Sequence, residues 1–178
     1  MLACDYDGTI AEEGRVPPET AAVLARVRES GRRLFLVTGR MLDDLKSVCP
    51  DVDRMFDLVV AENGGLLYIP DRREVRRLGD APEPALIDSL LRRGVPLDVG
   101  TAILATTAEY SEAALAAIRE TGVERSLVFN KGALMLLPGG VTKGTGLGAA
   151  LDLCHLSPRN LAGAGDAEND HAFLSMCE

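Results

Sequence analysis

Short apolar runs alternate along the chain with segments whose apolar positions recur at helical spacing, the signature of strands alternating with helices. Residues 1–4 form a first strand that stops at Asp5. Residues 19–30 follow as a helix, with Pro17-Pro18 where a first turn tolerates proline and Gly31 where a terminating glycine belongs. A buried strand at residues 34–37 ends in Thr38-Gly39-Arg40. Leu42, Leu45 and Val48-Cys49 carry a second helix up to Pro50, and a third strand at 58–61 ends in Glu62-Asn63-Gly64. From about residue 65 to 137 the pattern changes. It predicts a hairpin, a helix near 84–93, a strand near 99–106, a helix near 111–121, and short strands at 127–129 and 133–137. Asn130-Lys131-Gly132 splits the last two and implies antiparallel pairing. Alternation then resumes with a helix carrying Leu147, Leu151 and Cys154, a strand at 161–164 ended by Gly165-Asp166, and a last helix from about Asn169. The expectation is an α/β protein: a Rossmann-like parallel-sheet core from residues 1–64 and 138–178, with an α+β module of residues 65–137 inserted as a cap.

At 178 residues the chain suits one domain with an insert. A net charge of −8 argues against nucleic-acid partners, because an acidic surface repels phosphate backbones. No stretch approaches the apolar length of a membrane span, and the first ten residues lack the basic start of a secretory signal. Cys4, Cys49, Cys154 and Cys177 have no C-x-x-C spacing and read as free thiols of a reducing cytoplasm.

Charge changes the picture most at the strand ends. Asp5, Thr38, Asn63 and Asp166 each follow a strand of the parallel type, and ligands of open parallel sheets sit at that edge. Asp5, Asp7, Asp166 and Asp170 can converge there, and carboxylates sharing a cleft repel one another unless a cation holds them. Oxygen donors with water favour Mg²⁺ over zinc. The competing reading of Asp5-Tyr6-Asp7-Gly8-Thr9 is a plain turn after a strand, since Asp and Gly favour turns.

Asp5-Tyr6-Asp7-Gly8-Thr9, Thr38-Gly39-Arg40, Lys143-Gly144 and Gly165-Asp166-Ala167-Glu168-Asn169-Asp170 together resemble the four motifs of the haloacid dehalogenase superfamily. Their order and spacing are similar to its Cof-type branch, phosphatases with a cap inserted between the second and third motifs, and Glu62-Asn63-Gly64 resembles a recurrent element of that branch. The resemblance implies a Mg²⁺-dependent phosphatase acting on a small phosphorylated metabolite, a sugar phosphate or a phosphoglycolate-like compound. It implies Asp5 as nucleophile, Asp7 as acid and base, Thr38 as holder of a phosphoryl oxygen, and Lys143 as a pin for the nucleophile. Asp166 would bind the ion together with Asp5 and the Asp7 carbonyl, and Asp170 would act through water. Gly39, Arg40, Asn63 and Asn169 are the candidate substrate contacts.

Several residues have rival readings. Arg40 contacts substrate or pairs with Glu62. His171 reads as a helix residue facing solvent or cap, and Asn130 and Lys131 as turn residues. Gly144-Thr145-Gly146-Leu147-Gly148-Ala149 fits a dinucleotide fingerprint, but residues 138–143 separate its first glycine from the strand it should follow at once. A phosphorylated receiver module shares the strand-end Asp, Thr and Lys but lacks the Gly-Asp-x-x-Asn-Asp signature and the cap. A regulatory or fused domain with incidental phosphatase activity is a further alternative. The short first strand and the stop at Glu178 predict a chain truncated at both ends, which leaves strand 161–164 as an exposed sheet edge open to self-association.

Overall fold

A computed structural model describes residues 1–178. In chain order the elements begin with β1 (Leu2–Cys4), α1 (Pro18–Glu29), β2 (Leu34–Val37), α2 (Leu42–Val48), α3 (Val52–Met55) and β3 (Leu58–Ala61). They continue with β4 (Leu66–Ile69), β5 (Glu74–Arg77), α4 (Pro84–Arg92), β6 (Asp98–Val99), β7 (Leu104–Thr107) and α5 (Ser111–Thr121). The last are β8 (Arg125–Asn130), β9 (Ala133–Pro138), α6 (Lys143–Leu153), β10 (Ala162–Ala164) and α7 (His171–Leu174).

Six strands form the larger sheet in the order β10-β1-β2-β3-β4-β5. The first four run parallel, and β4 and β5 are antiparallel to their neighbours. Every residue of β2 is buried, because helices cover both faces of a parallel sheet. Leu34 and Leu36 pack with Leu24 and Leu45 on one side, and Phe35 and Val37 pack with Leu147, Leu151 and Phe173 on the other. The smaller antiparallel sheet has the order β6-β7-β9-β8. Its outer face buries Leu104, Leu134 and Leu136 under Leu86, Leu90 and Ala117 of the two cap helices. Its inner face, with Ile103, Met135 and Leu137, packs toward Met41 and Val141 of the core.

The expected division at residues 64/65 falls inside the larger sheet. The β4–β5 hairpin pairs with β3, so the large sheet extends to Arg77 and the small one starts at Asp98. All four β4 residues are buried, which suits a strand inside a two-sided sheet and not the start of a separate module. The strand expected at 99–106 is also broken, into β6 and β7. Residues 101–103 between them turn around the carboxylate of Glu62, which accepts their amide N–H groups at 2.8 to 3.2 Å. β10 is the end strand of its sheet, with β1 as its one strand partner.

The glycine run at the start of α6 serves packing. A Cβ on Gly144 would overlap the Ala172 carbonyl, and one on Gly146 would lie 2.5 Å from the Gly64 Cα. The close approach at Gly64 is tighter still: its φ is +102°, and a Cβ there would overlap the Thr142 carbonyl that starts α6. Gly64→Ala therefore combines a left-handed strain with a backbone clash. It should cost about 3 kcal/mol or more, read as a lowered midpoint of urea unfolding.

Candidate active site

The site is assembled at the carboxyl ends of three adjacent parallel strands, β10, β1 and β2. Asp5 follows β1 directly and is 5% exposed; its amide extends the ladder by donating to the Ala164 carbonyl at 2.9 Å. Thr38 follows β2, is buried, and donates its amide to the Val60 carbonyl at 2.8 Å. Its hydroxyl accepts the Arg40 amide at 3.1 Å. Asp166 and Asp170 follow β10 across Gly165, where a Cβ would collide with the Asp170 side chain at 2.7 Å.

Lys143 opens α6, whose start is fixed by Thr142: its hydroxyl accepts the Thr145 amide at 3.1 Å while the Thr145 hydroxyl accepts the Thr142 amide at 2.9 Å. From that anchored turn the buried Lys143 ammonium donates to Asp5 Oδ1 and Asp170 Oδ1, each at 2.6 Å. Asp170 Oδ2 accepts the amides of Asp166 and Ala167 at 3.0 and 2.9 Å, so both of its oxygens are committed. Burial pushes the Asp5 carboxyl above its ordinary pKa, while Lys143 pulls the other way. Asp166 is held below its ordinary range, chiefly by a 2.8 Å bond from Lys131.

One oxygen each from Asp5, Asp166 and Asp170 lie within 4.8 Å of one another. The Asp7 carboxylate stands apart from this set. It is gripped by the Arg40 guanidinium, with Nε and Nη2 donating at 2.7 Å each, and Arg40 Nη1 reaches Asp44 at 2.6 Å. The Arg40–Glu62 side-chain pair is thus not formed; the two meet only through the Glu62 amide and the Arg40 carbonyl. Gly39 and Arg40 line a cleft of about 460 Å³ together with Asp5, Asp7 and, from the cap, Asn130 and Met135. Asn63 and Asn169 do not line it. They bond to each other at 2.9 Å and border a second cavity that also meets Lys143 and the exposed His171. Asn63 and Glu62 are buried with φ of 52° and 53°, a strained pair that turns the chain from β3 under the cap.

Three participants escaped the sequence reading. Glu62 anchors the cap turn at residues 101–103. Asp44, one turn along α2 from Arg40, is half of that arginine's cage. Lys131 does sit in a tight turn, with φ of 47°, yet its ammonium crosses to the core and meets the Asp7 carbonyl at 2.8 Å as well as Asp166. Its one visible signal was being the only lysine of the insert.

The model of the haloacid dehalogenase-like hydrolases matches residues 2–79. A phosphoglycolate phosphatase of Methanothermobacter thermautotrophicus is 31% identical over 97% of this chain and 80% of its own length. One from Haloarcula marismortui is 30% identical over 98% of this chain and 80% of its own. The chain belongs to the haloacid dehalogenase-like hydrolases. It is a phosphatase of that family, and its fold is theirs. A haloacid dehalogenase-like hydrolase from Bacteroides thetaiotaomicron superposes with a TM-score of 0.80 at 16% identity, covering 99% of this chain and 85% of that one. A subclass IIB sugar phosphatase superposes at 0.76 with 17% identity, over 99% of this chain and 84% of its own. No helix of this phosphatase is long and apolar enough to cross a membrane.

Proposed function

We propose that this phosphatase hydrolyses the phosphate ester of a small hydroxy acid, with phosphoglycolate as the leading candidate, through an aspartyl-phosphate formed on Asp5. The observation that carries the covalent route is the pairing of two unlike carboxylates on one loop. Asp5 is buried and bonded to Lys143, whereas Asp7 is partly exposed in the same cleft. The choice of substrate rests on the two archaeal phosphoglycolate phosphatases matched along nearly the whole chain.

In the first step an Asp5 oxygen attacks phosphorus, the ester oxygen leaves with the bonding pair, and a protonated Asp7 supplies its proton. Asp7 then takes a proton from the water that attacks the acyl phosphate, which frees inorganic phosphate and restores Asp5. To serve either step, the Asp7 carboxyl exchanges the Arg40 fork for the reacting oxygen. Lys143 keeps the nucleophile in one rotamer and offsets charge on the phosphoryl group. Thr38 would hold a phosphoryl oxygen, with Gly39 and Arg40 beside it in the chain.

The donor set suits a hard divalent cation. All candidates are oxygens, and two of them, the Asp7 carbonyl and Asp166 Oδ2, already meet a cation, the Lys131 ammonium, at 2.8 Å each. Asp5, Asp166 and the Asp7 carbonyl would hold the ion, with Asp170 acting through water. When bound, Mg²⁺ would neutralise phosphoryl charge that the acidic walls of the cleft would otherwise oppose.

Release of phosphate across a panel of phosphorylated metabolites, with Mg²⁺ present, tests the reading. Phosphoglycolate should give the highest kcat/KM, and failure to hydrolyse it would exclude this substrate. Chelation should abolish turnover, Mg²⁺ should restore it, and Ca²⁺ should restore it poorly because its looser shell does not fix the attacking oxygen. Full activity in chelator would contradict the metal role. Asp7→Asn should lower kcat roughly 10²-fold or more in steady-state assays, since neither proton transfer retains its carrier.

A further inference from the structure

A phosphorylated hydroxy acid brings a carboxylate into the cleft besides its phosphoryl group, and the walls there are already acidic, with Asp44 and Asp98 beside Asp5 and Asp7. Without a cation to meet it, that second anion is repelled. Three cationic side chains reach the site. Arg40 is spent on both oxygens of Asp7 and on Asp44. Lys143 is 2% exposed and shared between Asp5 and Asp170.

Lys131 also meets site oxygens, but it alone of the three is an exposed side chain carried by the cap. It stands at the tip of the β8–β9 turn, next to a residue that lines the cleft. Its side chain is 52% exposed. Lys131 and Gly132 both have positive φ, 47° and 86°, in a tight turn that carries the ammonium across to the core. Neighbouring Asn130 already lines the cleft. The other cap cations with partners are engaged within the cap: Arg92 and Arg93 with Glu120, and Arg125 with Glu83. The oxygens Lys131 meets, the Asp7 carbonyl and Asp166 Oδ2, belong to the set that suits a divalent cation. An ammonium and a metal ion do not use the same lone pairs, so an ion held by these oxygens would release Lys131, whose neighbour Asn130 lines the cleft.

We propose that Lys131 receives the carboxylate of the substrate, and thereby selects phosphorylated hydroxy acids over neutral phosphate esters. The inference rests on the hydroxy-acid reading above. It is tested with the full chain, Lys131→Met and Lys131→Arg, assayed with Mg²⁺ on 2-phosphoglycolate and on ethyl phosphate, which replaces the carboxylate by a methyl group. In Lys131→Met the ratio of the two kcat/KM values should fall by about tenfold or more, the loss of one charge-assisted contact, and the fall should lie in KM. Lys131→Arg should recover much of the ratio. Mn²⁺ affinity, read by electron paramagnetic resonance, should be no weaker in Lys131→Met than in the parent. A smaller fall in the ratio, an equal loss on both esters, or a loss explained by weakened Mn²⁺ binding overturns the assignment. If the parent itself favours ethyl phosphate, the hydroxy-acid reading fails. If the parent favours phosphoglycolate and the ratio stays put in Lys131→Met, that reading stands and the role of Lys131 alone is refuted.

Discussion

Asp5→Asn should release no phosphate while keeping the fold. The amide is no nucleophile toward phosphorus, so the covalent route closes at its first step. Its carbonyl oxygen can still accept from Lys143, replacing the 2.6 Å bond that Asp5 makes. Burial already disfavours charge at this position, and an uncharged isostere relieves that desolvation, which offsets the weaker bond to the ammonium. Circular dichroism and urea unfolding should therefore give a folded protein of near-parental stability. Activity above a few per cent of the parent would rule out Asp5 as the attacking group.

Lys143→Met should be costly in both respects. The side chain is 1% exposed and bonds two carboxylates that are themselves 7% and 0% exposed. Deleting the ammonium leaves two like charges facing each other in a dry position, and breaking a buried ion pair from one side costs about 3 to 5 kcal/mol. The unfolding midpoint should drop accordingly in chelator and recover in part with Mg²⁺ if, as proposed, the ion adds positive charge to this carboxylate cluster. Adding Asp170→Asn to Lys143→Met should restore some stability by removing one of the repelling groups, without restoring turnover. A Lys143→Met protein as stable as its parent in chelator would mean that the carboxylates do not depend on this cation.

The contrast between these residues and Lys131 marks where sequence stops being informative. Asp5, Thr38 and Asp166 were legible because each stands at the end of an apolar run, and a parallel sheet brings such run ends to one edge whatever the details; Asp170 was legible only through the Gly-Asp-x-x-Asn-Asp signature that it closes. Lys143 was legible through its place at a helix start within an ordered set of motifs. Lys131 carries no such mark: a turn lysine looks the same whether it points to water or across a cleft. The hairpin of β4 and β5 was recognised, but its partner strand was not, since a local pattern fixes pairing within a hairpin and not the sheet it joins. The break at residues 100–103 was invisible for a related reason. The amides of Thr101, Ala102 and Ile103 leave the strand for a carboxylate some 40 positions earlier, at Glu62. The Asp7–Arg40 fork likewise depends on Asp44 standing one turn along the next helix.

That carboxylate also bears on how such an enzyme can change its substrates over evolutionary time. Inserted modules are often pictured as interchangeable parts, swapped between scaffolds to alter what a conserved centre accepts. Here the turn between β6 and β7 takes its shape from a core side chain, so a transplanted insert would have to offer three amides at the same spot or leave Glu62 buried and unsatisfied. Diversification is thereby steered away from wholesale exchange and toward point changes at the β8–β9 hairpin tip, which bonds to the core through one side chain, Lys131.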